Sequence, residues 1–298
     1  MNEGQVTPPE SVVASIVAGA LPELAGVRVT RLMSAGTVNA LYRIGEQVVA
    51  RFPLVPDAGR AQHEAVVAEH AALVLIGTVS PCAVPMPVAI GEPGELYDGF
   101  WSVLRWIDGE SVESFDKPMS YQFATQLGSF VSAISAIPTN ARRWNGQSRG
   151  GPLSTRNEDV MGALAASRLE AVLDPTILDA VTDVWRSCLD AAPASSDRWI
   201  HGDLMPGNLI HEHGDLAAVI DFGCAAVGDQ AVDLMVAWNL LDDETRPAFR
   251  EVVKVDDDTW ERGRGWAIVQ AAVALPYYAQ TNQVMASTAR RTLEAVLR

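Results

Sequence analysis

The chain is 298 residues long, 48% hydrophobic and 20% charged, which suits a large folded core and excludes a disordered polymer. Its net charge of −15 argues against nucleic acid, whose phosphates need a basic face, and is compatible with a cationic small ligand or with solubility alone. No apolar run reaches the ~18 residues of a membrane span. The first ten residues lack a signal-peptide pattern, and Cys82, Cys188 and Cys224 are far apart and match no metal spacing. The expectation is a cytoplasmic protein with neither nucleic acid nor membrane as partner.

In chain order, residues 12–21 read as a short helix. Strand patterns follow over 27–33, 38–44 and 47–52, with a turn at Gly45-Glu46. Residues 61–76 are apolar at helical spacing and carry Glu64 and Glu69. The stretch 81–87 has three prolines and reads as extended. Residues 97–107 hold another strand, ending before Asp108-Gly109. Helices then dominate, over 121–137, 157–170 and 175–191, with a Gly- and Arg-rich loop at 141–154. The last helices are expected near 231–241, 244–253, 258–278 and 283–297. The chain therefore divides into a small β-rich lobe, 1–107, and a larger helical lobe, 108–298, an α+β plan.

The most informative segment is His201-Gly202-Asp203-Leu204-Met205-Pro206-Gly207-Asn208. A strand, a turn through His213 and Gly214 and a second strand follow, then Asp221-Phe222-Gly223. H-x-D-x-x-x-x-N followed by D-F-G is the order in which kinases set out a proton-accepting Asp, a metal-binding Asn and a metal-binding Asp. A loop followed by a tight ribbon can bring all three carboxylate and amide groups into one cleft. His201, His211 and His213 with Asp203 leave open a zinc-hydrolase alternative, although His211 and His213 flank a turn.

With Val227-Gly228-Asp229-Gln230-Ala231-Val232-Asp233-Leu234 added to these motifs, the chain resembles the aminoglycoside phosphotransferase family, which has a two-lobed protein-kinase-like fold. Gly202 after His201 and the G-D-x-x-x-D-L tail separate it from protein kinases. The resemblance implies that Asp203 meets the substrate hydroxyl, that Asn208 and Asp221 bind Mg²⁺, that His201 braces the loop and that Asp233 holds it from behind. It also implies ATP or GTP as phosphate donor, bound between the lobes. Ile107 would offer its backbone to the purine, and the turn containing Ser34 and Gly36 would cover the phosphates.

The kinase pattern wants a strand lysine paired to a helix glutamate. Here the only lysines are Lys117 and Lys254, against twenty arginines. Arg51, at the end of a buried strand pattern, stands in for that lysine, with Glu69 preferred over Glu64 as its partner. A guanidinium can fork onto phosphate oxygens, but it is not equivalent to an ammonium. On the substrate side Asp242 and Asp243 are candidates for binding amines, and Trp238 for apolar packing. The acidic clusters 242–244 and 256–258 also suit helix N-termini. The implied activity is Mg²⁺-dependent phosphate transfer to a hydroxyl of an aminoglycoside or related antibiotic, by a monomer or homodimer. A macrolide, amino alcohol or sugar kinase, or a catalytically impaired nucleotide-binding homologue, are the alternatives.

Overall fold

The computed structural model describes residues 5–33, 38–114, 118–146 and 149–298. They fall into two compact units, Met1–Thr78 with Ala83–Asp108, and Val79–Cys82 with Gly109–Arg298. Among the described residues no helix is long and apolar enough to cross a membrane.

The first unit contains α1 (Glu10–Ala20), β1 (Val29–Leu32), β2 (Asn39–Ile44), β3 (Val48–Pro53), α2 (Arg60–Gly77), β4 (Pro87–Gly91) and β5 (Trp101–Arg105). The strands form one antiparallel sheet in the order β1-β2-β3-β5-β4. Strand alternation sends Ala40, Tyr42 and Ile44 to the same face as Val48, Ala50 and Phe52. There they join Val13 and Val17 of α1 in one buried cluster. Phe52 stacks on Trp101 at 5.0 Å and meets the Tyr42 and Tyr97 rings edge-on. The same alternation turns Arg51 to the opposite face. In α2 the buried residues Val66, Glu69, Ala72, Leu73 and Ile76 recur at helical spacing, so a carboxylate sits within an otherwise apolar stripe. Strand β4 starts where the proline-rich stretch was expected to end. Pro87 is its first residue and a register shift follows, which is where a strand tolerates a residue without an N–H.

The second unit contains β6 (Glu110–Ser111), α3 (Tyr121–Ser135), α4 (Asn157–Leu169), α5 (Pro175–Asp190), β7 (Arg198–Ile200), β8 (Leu209–Glu212), β9 (Asp215–Val219) and β10 (Ala226–Gly228). It continues with α6 (Val236–Asn239), α7 (Arg246–Val253), α8 (Asp257–Tyr278) and α9 (Gln283–Ala295). Strands β6-β8-β9 form one small sheet and β7-β10 another. Helix starts follow local chemistry: the side chains of Ser120, Asp174, Asp256 and Asn282 each accept a hydrogen bond from a first-turn amide. Asp256 of the second acidic cluster is thereby a cap.

The helix expected over 231–241 is instead a 3₁₀ segment, Gln230–Met235, followed by the four-residue α6. Three contacts favour the tighter winding. Asp229 caps the segment through the Ala231 amide at 3.1 Å, Asp233 is turned to the chain at His201, and Leu234 lies against Gly263 of α8. A Cβ on Gly263 would lie 2.6 Å from the Leu234 Cβ. Gly263→Ala is therefore expected to lose about 1–3 kcal/mol to overpacking, more than the ~1 kcal/mol at most that a helical alanine gains over glycine. Urea denaturation of the two proteins measures the difference, and a variant as stable as the wild type would contradict the packing.

Candidate active site

The segment from His201 to Asn208 is locked from several sides. The buried carboxylate of Asp233 accepts the His201 amide at 2.7 Å and the Gly202 amide at 2.8 Å. Burial pushes the Asp233 carboxyl up, against the opposing pull of those two amides. The His201 ring is fully buried, and its Nδ1 accepts the Asp203 amide at 3.2 Å. The proton must then sit on Nε2, which donates to the Ile220 carbonyl at 3.0 Å. Phe222 packs across this ring with centroids 4.6 Å apart. Gly202 has φ +81, and a Cβ there would meet the Cys224 carbonyl at 2.6 Å. No larger residue fits between His201 and Asp203, so the glycine is a steric requirement of this loop.

Asp203 is thus presented on a fixed backbone, with its side chain 24% exposed. Asn208 donates from Nδ2 to the Asp203 carbonyl at 2.9 Å and lies 3.4 Å from Oδ2. That leaves the Asn208 Oδ1 as an acceptor. The Ile220 amide donates to the Asn208 carbonyl at 2.9 Å, which ties the end of β9 to the loop. The next residue, Asp221, has φ +63 and ψ +74. This left-handed conformation turns the chain sharply at the point where the carboxylate is presented. The arrangement therefore brings one carboxylate and two further hard-oxygen groups, Asn208 and Asp221, onto a single loop-and-ribbon scaffold.

In the first unit Arg51 donates from Nη1 to Glu69 Oε1. Both side chains are nearly buried, at 11% and 9% exposed. Glu64 is instead exposed and pairs with Arg60 at 2.7 Å, one turn earlier on α2. Removing the carboxylate from a buried guanidinium typically costs about 3–5 kcal/mol. Glu69→Ala is expected to lose stability on that scale in thermal denaturation, whereas Glu64→Ala should be neutral within ~0.5 kcal/mol. Equal melting of both variants would contradict the burial. Ile107 follows β5 and is half-buried. Beside it the Arg43 guanidinium lies over Trp106 at 4.5 Å, and the Trp106 Nε1 donates to Asp108 at 2.8 Å. Ser34 and Gly36 lie outside the described residues.

The phosphotransferase enzyme family model matches residues 29–266. The chain belongs to this family. It is a phosphotransferase, and its fold is the kinase-like one of three similar solved structures. The GDP complex of wild-type aminoglycoside 2'-phosphotransferase-IIIa is 19% identical, with 97% of this chain and 98% of that one covered and a TM-score of 0.70. The streptomycin–ATP ternary complex of APH(2")-IIa is 15% identical, with 97% of each chain covered and a TM-score of 0.60. The apoenzyme of macrolide 2'-phosphotransferase MphH from Brachybacterium faecium is 20% identical, with 96% and 98% covered and a TM-score of 0.59. A comparison with curated protein sequences finds no match.

In this phosphotransferase the residues considered for substrate are engaged elsewhere. Asp242 Oδ1 accepts the Thr245 hydroxyl at 2.7 Å and the Thr245 and Glu244 amides at 2.9 and 3.1 Å. Burial would raise its carboxyl, but these hydrogen bonds prevail and lower it. Asp243 pairs with Arg246 at 3.2 Å and Arg298 at 3.5 Å. Trp238 is buried against Trp260, with centroids 4.8 Å apart. A small groove runs beside the catalytic loop from Met205 and Asn239 to Gln270 and Ala274 of α8 and Met285 and Thr288 of α9. None of its lining side chains is charged, and neither Asp242 nor Asp243 is among them.

Two residues next to the loop carry no motif in the sequence. Arg149, from the Gly- and Arg-rich stretch, pairs with Asp203 and donates to the Gly202 carbonyl at 3.0 Å. Glu113, from the 3₁₀ turn Val112–Ser114, lies beside Gly207. Burial pushes the Glu113 carboxyl up, partly offset by Arg291. His211 is buried on β8, 3.9 Å from Glu110, and His213 is exposed in the β8–β9 turn with φ +55. Among the described residues no three His, Cys, Asp or Glu side chains form a metal-binding group.

Proposed function

We propose that the enzyme moves the γ-phosphate of ATP or GTP to a hydroxyl of a small molecule, with Mg²⁺ bound by Asn208 and Asp221. The observation that carries this reading is the joint fixation of Asp203, Asn208 and Asp221 by His201, Asp233 and the Ile220 amide. The donor set fits the ion: an amide oxygen left unbonded on Asn208 and a carboxylate on Asp221 are hard oxygens, and Mg²⁺ takes few protein ligands and keeps its remaining positions for water and phosphate. When bound, the ion neutralises charge on the triphosphate.

The chain's own residues do the positioning. Asp203, on a backbone it cannot easily leave, receives the hydroxyl hydrogen bond and orients the oxygen toward the phosphorus. His201 fixes that backbone in one tautomer, and Asp233 fixes His201 and Gly202. Arg51, held by Glu69, serves the nucleotide phosphates as the cation in place of lysine. Ile107 offers its backbone to the purine. Catalysis of this kind relies on orientation and charge stabilisation more than on proton abstraction.

For the acceptor, family membership and the streptomycin named with one similar structure support an aminoglycoside. A second reading, in which the acceptor presents an apolar or neutral face as a macrolide would, is supported by the similarity to a macrolide 2'-phosphotransferase. Nucleotide consumption measured with ATP and with GTP against a panel of aminoglycosides, macrolides, amino alcohols and sugars tests both. Turnover with macrolides alone supports the neutral acceptor, and turnover with aminoglycosides alone removes it. No acceptor-dependent consumption by any of them would count against the function itself.

A further inference from the structure

We propose that Arg149 is a second working cation of the phosphoryl-transfer site, built in from the loop before α4, which holds Asp203 at rest and contacts the transferring phosphoryl oxygens during reaction. The proposal rests on the function given above. In the transfer, the acceptor oxygen forms a bond to the γ-phosphorus while the bond from phosphorus to the β-bridging oxygen breaks. The nucleoside diphosphate leaves with that electron pair, and the hydroxyl proton passes to Asp203 and then to solvent. Arg149 gains and loses no proton. It stabilises the negative charge on the equatorial oxygens as the transfer proceeds.

Three observations carry this. First, only half of the guanidinium is committed. Nη1 serves both Asp203 and the Gly202 carbonyl, while Nε and Nη2 make no hydrogen bond among the described residues and are not sealed from solvent. The side chain is 30% exposed. A planar fork with one side on the catalytic carboxylate and the other side open is suited to phosphate oxygens. Second, its surroundings are those of the reacting groups. Burial opposes its charge, and beyond Asp203 the carboxylate of Asp221 adds to the field that sustains it.

Third, the arm is rigid. Gly150 has φ +92, and its carbonyl accepts the Asp229 amide at 2.8 Å. A Cβ on Gly150 would lie 2.8 Å from Ile200 Cδ1, so the chain is pressed onto β7 and β10. Asp229 is itself fixed by a buried ion pair with Arg262 of α8, at 2.6 Å. An ordinary surface ion pair has no such support, and it contributes ~1 kcal/mol at most. A preorganised cation at a phosphoryl group changes rate by about 10³–10⁵-fold where it is supplied in other phosphoryl-transfer enzymes.

The test compares wild type with Arg149→Ala and Arg149→Lys. Calorimetry measures Mg²⁺–nucleoside diphosphate binding, and fluorine NMR follows capture of aluminium fluoride by the enzyme–Mg²⁺–diphosphate complex, a mimic of the planar phosphoryl group. Expected for Arg149→Ala are diphosphate affinity within about threefold of wild type, no captured fluoride, turnover down by about 10³-fold, and partial recovery on adding free guanidinium. Arg149→Lys should recover capture only in part. If both variants capture the fluoride and turn over within about threefold of wild type, Arg149 is only structural and the proposal is overturned. Loss of diphosphate binding together with early melting in both variants overturns it as well. A wild type that neither captures fluoride nor consumes nucleotide would instead remove the phosphotransfer reading, and this proposal with it.

Discussion

Asp203→Asn is expected to bind Mg²⁺–nucleotide almost as the wild type does and to lose about 10²–10⁴-fold in turnover. The substitution keeps the size of the side chain and leaves its backbone ties untouched, because His201 holds the Asp203 amide and Asn208 its carbonyl. The charge on the group that meets the acceptor hydroxyl is lost, and with it the ion pair to Arg149, while no nucleotide-binding residue changes, so the effect belongs in kcat and not in nucleotide affinity. Steady-state kinetics with a confirmed acceptor, alongside calorimetric nucleotide binding, separates the two. A fall of less than about tenfold would be below the range for a lost general base and would remove Asp203 from its role.

Asp221→Ala is expected to abolish the Mg²⁺-dependence of nucleotide binding. The proposed metal site draws on few protein oxygens, and Asp221 supplies its one full charge there. The residue also occupies a left-handed conformation that aspartate tolerates better than alanine, so Asp221→Asn is the fairer companion: it keeps the turn and drops the charge. Nucleotide affinity measured with Mg²⁺ and with chelator should differ strongly for wild type and little for either variant. Stoichiometric zinc in the purified enzyme, with activity lost on chelation and restored by zinc alone, would instead favour hydrolytic chemistry.

The parts of the site that could be read in the sequence are those where chemistry fixes side-chain identity at short range. His201, Asp203 and Asn208 share one loop, and Asp221 follows after a hairpin whose turn is marked by His213 and Gly214. The spacing alone therefore constrains where they can go. The Arg51–Glu69 pair was legible for a different reason: strand alternation and the absence of lysine before residue 117 left few cations, and helical spacing placed Glu69 with Leu73 and Ile76. Arg149 was not legible. It reaches Asp203 across 54 positions of sequence from a stretch without periodicity, held there by glycines whose role shows only when the neighbouring chain is seen.

Elements were missed on similar grounds. Strands β7 and β10 have three residues each, too few for an alternation pattern, and they exist because they pair with each other. The 3₁₀ segment before α6 has helical composition, and tertiary demands on Asp233 and Leu234 set its winding. On the acceptor side, the acidic residues 242 and 243 looked available for amines because sequence does not show that Thr245, Arg246 and Arg298 engage them.

The central claim is phosphate transfer to a hydroxyl. Its most direct test is phosphorus NMR and mass spectrometry of the acceptor panel after incubation with nucleotide and Mg²⁺. The account predicts one class of acceptor carrying a phosphate monoester, formed in equal amount to nucleoside diphosphate and lost in Asp203→Asn. Nucleotide converted only to diphosphate and inorganic phosphate, with every acceptor recovered unmodified, would contradict it.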